Sequence, residues 1–181
     1  MKRPRPLRID PIAEAKRQWM QHGWEDAAPG MAAYASIMRV HQLMLSNVER
    51  VLKPFDLSFA RYELLRLLAF TREGQMPMSS VVSRLQVHPA SVTAIVDRLV
   101  RDGYVSRNAH PTDGRATMLR VTEAGVQLVD EATLKLNRES FEQFELSAED
   151  TALLTGILAR YRKLSGDFMD PTPPPEPLEY L

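Results

Sequence analysis

Between residues 79 and 120 every positive charge is an arginine: Arg84, Arg98, Arg101, Arg107, Arg115 and Arg120, set against Asp97, Asp102 and Asp113. A guanidinium is a planar fork of five donors, suited to phosphate oxygens and base edges. Among these arginines lie Ser91 and Thr93, whose hydroxyls can bond base edges or phosphates. Pro89 and Ala90 offer small apolar groups that fit against thymine methyls. Arg84 and Arg98 suit phosphate contacts, which position a protein on a duplex without specifying sequence.

Other chemistries find little support. The chain has no cysteine, which excludes disulfides, thiolate nucleophiles and Cys-ligated zinc. Its four histidines, His22, His41, His88 and His110, show no metal-ligand spacing, so neither metal nor cofactor is expected. HExxH, GxSxG and Gly-rich phosphate loops are absent. The neighbouring carboxylates Glu149 and Asp150 fall at an expected helix start and need no catalytic explanation.

The 181-residue chain carries 23 basic and 23 acidic side chains, a formal net charge of zero. The distribution is uneven: residues 1–78 hold a balance of +4, residues 79–120 of +3 and residues 121–181 of −7. A binding surface depends on where charge lies, so the neutral total does not exclude nucleic acid. No apolar run approaches the roughly 20 residues of a membrane span. Prolines and charges follow the basic start where a signal peptide needs an apolar stretch, so a cytoplasmic protein is expected.

The positioning elements can be read from periodicity. Residues 1–10 form a basic, proline-punctuated arm, and Pro11 opens a short helix to about His22, packed through Trp19 and Trp24. A wide apolar face over 30–53 predicts a long helix that stops at Pro54, and Leu57–Phe70 a second one. A short linker around Gly74 and Pro77 leads to a helix from Ser79, with Val82 and Leu85 facing inward. Pro89 begins the next helix, where Val92, Ile95, Val96 and Leu99 form a one-sided stripe and Gly103 ends it. Residues 104–107 and 116–121 alternate as two strands about an Asp113-Gly114 turn. Thr122 opens a helix to about Phe144, and Ser147 with Asp150 caps a last one to about Asp170. The tail PTPPPEPLEYL should be extended.

Short helix, turn, amphipathic helix and hairpin together describe a winged helix-turn-helix. The expected fold is mainly α with a small β-hairpin wing. In such a fold the Pro89 helix enters the major groove and the hairpin tip carries Arg115 toward the neighbouring minor groove. Two long apolar-striped terminal helices exceed what so small a lobe can bury, which favours a symmetric partner. The expected division is 1–29 arm and extra helix, 30–56 dimerisation helix, 57–121 DNA-binding domain, 122–170 C-terminal dimerisation helices and 171–181 tail. Two other readings fit less of the chain: a winged-helix scaffold for protein contacts, and a small enzyme.

The stretches LSFARYELLRLLAF and MSSVVSRLQVHPASVTAIVDRLVRDGYVSRNAHPTDGRATMLRVTEAG resemble the MarR family of bacterial transcriptional regulators. The likeness runs from about residue 31 to 168. It implies a homodimer on a pseudo-palindromic operator in double-stranded DNA, most members being repressors released by a small aromatic or phenolic ligand. Asp113 and Arg115 match the second half of the family's repeated Asp-x-Arg wing motif, which implies that Asp113 orients the Arg115 guanidinium. His110 and Thr112 stand in place of the first half. His88 occupies the position where a serine often caps the recognition helix. A ligand pocket is expected between the first long helix, the second and the base of the winged lobe, walled by Met38, His41, Phe59 and Tyr62. The extra N-terminal helix with Trp19 resembles one that walls the pocket in the family's urate-responsive branch.

Overall fold

The computed structural model describes residues 7–85, 88–109 and 116–169. The hairpin turn with His110, Asp113 and Arg115, the first six residues and the tail from 170 lie outside them. The chain divides into two compact units, Met1–Val48 and Glu49–Leu181, with the division inside one long helix.

The first unit opens with α1 (Pro11–Gln21). Asp10 caps it by accepting the Ile12 amide at 2.9 Å, and Pro11 sits where a helix has no use for an N–H. A turn through Gly23 brings Trp24 edge-to-face onto Trp19, with ring centroids 5.4 Å apart. Trp24 nonetheless stays 52% exposed. α2 (Ala28–Leu52) follows, and over residues 29–47 it has no fully buried side chain.

In the second unit a 3₁₀ turn, Lys53–Phe55, ends α2 at Pro54. Ser58 then caps α3 (Phe59–Ala69), whose Leu64, Leu65 and Leu68 are completely buried. α4 (Met78–Arg84) buries Val81, while Val82 is only partly covered; the inward positions are Val81 and Leu85. α5 (Pro89–Arg101) follows, then β2 (Val105–Ala109) and β3 (Thr117–Val121).

Among the described residues the sheet has three strands, not the two of a simple hairpin. Gln75–Pro77, expected as linker, forms β1 and pairs antiparallel with β3 in the order β1-β3-β2. Three residues ending in proline carry no readable alternation, and β3 supplies the missing bonds from 45 residues away. Met76, Leu119, Val105 and Val121 share the buried side of the sheet.

Two helices end earlier than expected. α6 (Glu123–Leu136) gives way to a π turn over Asn137–Phe141, closed by Glu142 N–H donating to the Asn137 carbonyl at 2.8 Å. α7 (Ala148–Leu164) stops before Gly166, which takes a left-handed φ of 77°. Its apolar stripe is at most partly covered among the described residues: none of its residues is fully buried, and Leu164 is 88% exposed.

α6 is pinned to α3 by a polar cluster. The Arg66 guanidinium donates to Asp130 at 2.7 Å and to Thr133 Oγ1 at 2.8 and 3.1 Å. The same hydroxyl lies 3.1 Å from Tyr62 OH and donates to the Val129 carbonyl. At the start of α6, Gly125 passes so close to the backbone just before β2 that a Cβ would lie 2.3 Å from the Tyr104 carbonyl oxygen.

Candidate nucleic-acid interface

α5 buries Val92, Val96 and Leu99 completely. Ala90, Ser91, Thr93, Ala94 and Asp97 stand exposed on the other side. This division follows from the 3.6-residue period of the stripe. Pro89 opens the helix.

His88 is the N-cap. Its Nδ1 accepts the Ala90 amide at 3.3 Å, and its carbonyl accepts the Ser91 amide at 2.8 Å. An imidazole therefore does what a serine hydroxyl would do here. An accepting Nδ1 leaves the ring proton on Nε2, an additional donor at the mouth of the helix. At the far end the Tyr104 amide bonds back to the Leu99 carbonyl at 2.9 Å, with Gly103 left-handed at φ 78°.

The arginines divide by what holds them. Arg84 donates to the Ser80 carbonyl of its own helix at 3.2 Å. Arg98 pairs with Asp102 at 2.9 Å and with Asp56 at 3.1 Å. The hydrogen bond that Arg98 donates to Asp102 leads the influences that raise the Arg98 pKa above the ordinary arginine value. Desolvation pushes the Asp102 carboxyl upward, but the Arg98 bond and charge, helped by Arg101, outweigh it and hold it below the usual range. Asp56 is the one non-glycine of positive φ among the described residues, at 50°. Arg61 lies 4.0 Å from both Asp56 and Asp102. A phosphate reaching Arg98 would thus compete with two carboxylates.

Two arginines of the sheet were not singled out by sequence. Arg107 on β2 meets Asp97 on α5 at 2.7 Å. Strand parity offers the available signal, because Arg107 shares the sheet face of Val105, the side packed toward the helices. Arg120 donates to Gln75 Oε1 at 3.1 and 3.3 Å across β3 and β1.

The residues named for a ligand fall in both units. In the first, Met38 is 67% exposed, His41 is exposed and Trp19 packs on Trp24. In the second, Phe59 stacks on Tyr62 with ring centroids 6.2 Å apart. Tyr62 is only 7% exposed, and its hydroxyl is already bonded to Thr133. Among the described residues no group of three or more His, Asp or Glu side chains could hold a metal ion. No helix there is long and apolar enough to cross a membrane.

A helix with a capped, small-polar outer face, preceded by a short helix and followed by an antiparallel sheet, defines a winged helix-turn-helix protein. The MarR family model matches residues 57–117. Sco5413, a MarR family transcriptional regulator from Streptomyces coelicolor, is 44% identical. Its structure aligns over 77% of this chain and 97% of its own with a TM-score of 0.70. The HTH-type transcriptional repressor IacR of Pseudomonas putida is 34% identical over 109 residues, 59% of this chain and 64% of its own length. The match therefore spans just under two thirds of that relative. Sco3205 of Streptomyces coelicolor, a MarR family transcriptional regulator solved in complex with DNA, shares the fold. It has a TM-score of 0.64 at 20% identity, over 73% of this chain and 88% of its own. The chain belongs to the MarR family of transcriptional regulators.

Proposed function

We propose that the protein is a repressor that binds a pseudo-palindromic operator in double-stranded DNA as a homodimer. The observation that carries this reading is α5, whose Val92, Val96 and Leu99 are completely buried while Ala90, Ser91, Thr93 and Ala94 present small and hydroxyl groups outward. Such a surface fits the major groove, where bulky side chains would hold the helix off the bases. Arg84 and the His88 Nε2–H supply donors beside it, Pro89 and Ala90 the apolar contacts. Arg115, oriented by Asp113, is the proposed minor-groove contact of the wing. Arg98 is proposed as a phosphate contact only in exchange for its carboxylates.

The homodimer is supported by apolar side chains that the chain leaves uncovered, Ile37 and Leu43 on α2 and Leu153 and Ile157 on α7. A small aromatic or phenolic ligand is the proposed release signal, with Phe59 and Tyr62 as its proposed aromatic contacts. No catalytic activity is proposed. The repressor sense follows the name of the Pseudomonas putida relative.

The test is an anisotropy titration with a duplex spanning the protein's own promoter region. Arg115→Ala should weaken binding by ~5–100-fold, the worth of one good base-edge or groove contact, with the dimer intact. Binding should also fall steeply with salt as counterions are released. Unchanged affinity for Arg115→Ala rules out the wing contact, and a flat salt response favours a protein-binding scaffold.

A further inference from the structure

Asp97 is an acid where a DNA-reading helix has least use for one. It lies seven residues after Ala90 and three after Ala94, and so continues their exposed stripe along α5. An unneutralised carboxylate there would repel phosphates. Arg107 reaches it from β2 at 2.7 Å, with the Arg107 side chain 40% and the Asp97 side chain 56% exposed. Ion pairs so exposed contribute little to folding, so stability gives this one a weak reason to exist. Its electrostatic consequence is larger. A free guanidinium on a wing strand would bind the phosphates of any duplex, whatever its sequence.

We propose that Asp97 is a specificity-determining residue of the interface, which pairs with Arg107 and so withholds that guanidinium from sequence-independent phosphate binding. Two other arginines of the lobe give the contrast. Arg84 and Arg120 donate to neutral oxygens, those of Ser80 and Gln75, and keep their full positive charge. At Arg107 the charge is cancelled beside the reading face itself. Discrimination then rests on contacts that depend on the bases, and non-specific attraction is held down at the point where it would compete.

The inference rests on the operator-binding reading above, and the experiment separates the two. Wild type, Asp97→Asn, Arg107→Gln and the double variant are titrated across a range of salt with two duplexes. One spans the protein's own promoter region; the other is a scrambled sequence of equal composition. Asp97→Asn should tighten binding to the scrambled duplex by ~3–10-fold and steepen the salt slope by about 0.9, the release of one further counterion. The promoter-to-scrambled affinity ratio should fall accordingly. Arg107→Gln should do the reverse, with weaker scrambled binding and a shallower slope, and the double variant should return to the wild-type slope. An unchanged slope and ratio in Asp97→Asn overturns the proposal. So does loss of the folded thermal transition in both single variants, which would make the pair structural. Wild type binding neither duplex would instead defeat the operator reading.

Discussion

Glu63 is an acid whose ionisation burial penalises. It sits half-buried on α3, with no hydrogen-bond or ion-pair partner among the described residues, and desolvation raises its pKa above the ordinary carboxylate value. An acid whose folded pKa is raised binds its proton more tightly in the folded state, so stability falls as pH climbs from the unfolded value through the folded one. Glu63→Gln removes the charge and should raise the melting temperature at pH 7 relative to wild type. At pH 4, below the raised pKa, the gain should shrink toward nothing. A gain equal at both pH values would show that desolvated charge is not the cause. The sequence places Glu63 on a helix, but the density of neighbours that desolvates it comes from the packed unit. The same limit applies to Arg98. Its type suggested phosphate binding, while its two carboxylates include Asp56, 42 residues earlier. Local spacing has no means of expressing that pairing.

Among the elements, α5 was the most legible and β1 the least. A stripe at i, i+3, i+4 and i+7 has one folded outcome when a core is available, and Val92, Val96 and Leu99 are all fully covered. The cap was less certain, because histidine is not among the preferred residues, yet its Nδ1 takes the Ala90 amide. His88→Ala should therefore cost about 0.5–2 kcal/mol in chemical denaturation, and His88→Ser should recover most of it. Equal stability of the alanine and wild-type proteins would mean that the ring contributes no cap. β1 escapes sequence reading because its three residues are a strand only through β3, which pairs with it on one side and with β2 on the other. The π turn after α6 is likewise not legible in the sequence. Nothing in Asn137–Phe141 breaks a helix by its residue types, and only the backbone bond to Glu142 records the change.

At the scale of the molecule, the open question raised by the neutral total of 23 against 23 is where charge and apolar surface finish. α7 leaves Leu153, Ile157, Tyr161 and Leu164 exposed, a stripe that a second copy would cover in the proposed dimer. Ile157→Asp should shift sedimentation from dimer toward monomer at micromolar concentration and reduce promoter binding with it. The fold of the Glu49–Leu181 unit should survive, because Ile157 is not part of its buried core. A dimer unaffected by this substitution would move the interface elsewhere. The sequence by itself determined the helices with long apolar stripes, the turn-bounded strands and the small polar face of α5. Each of these depends on neighbours within a few residues, through backbone geometry and burial period. Only the tertiary structure decided the third strand, the Arg66 cluster joining α3 to α6, and which arginines are paired with carboxylates. The strand and the cluster depend on groups 41 to 67 positions apart, and pairwise electrostatics in a folded chain follow distance in space. The all-arginine segment that first suggested phosphate contacts is thus partly neutralised within its own lobe, by Asp97, Asp102 and Asp56.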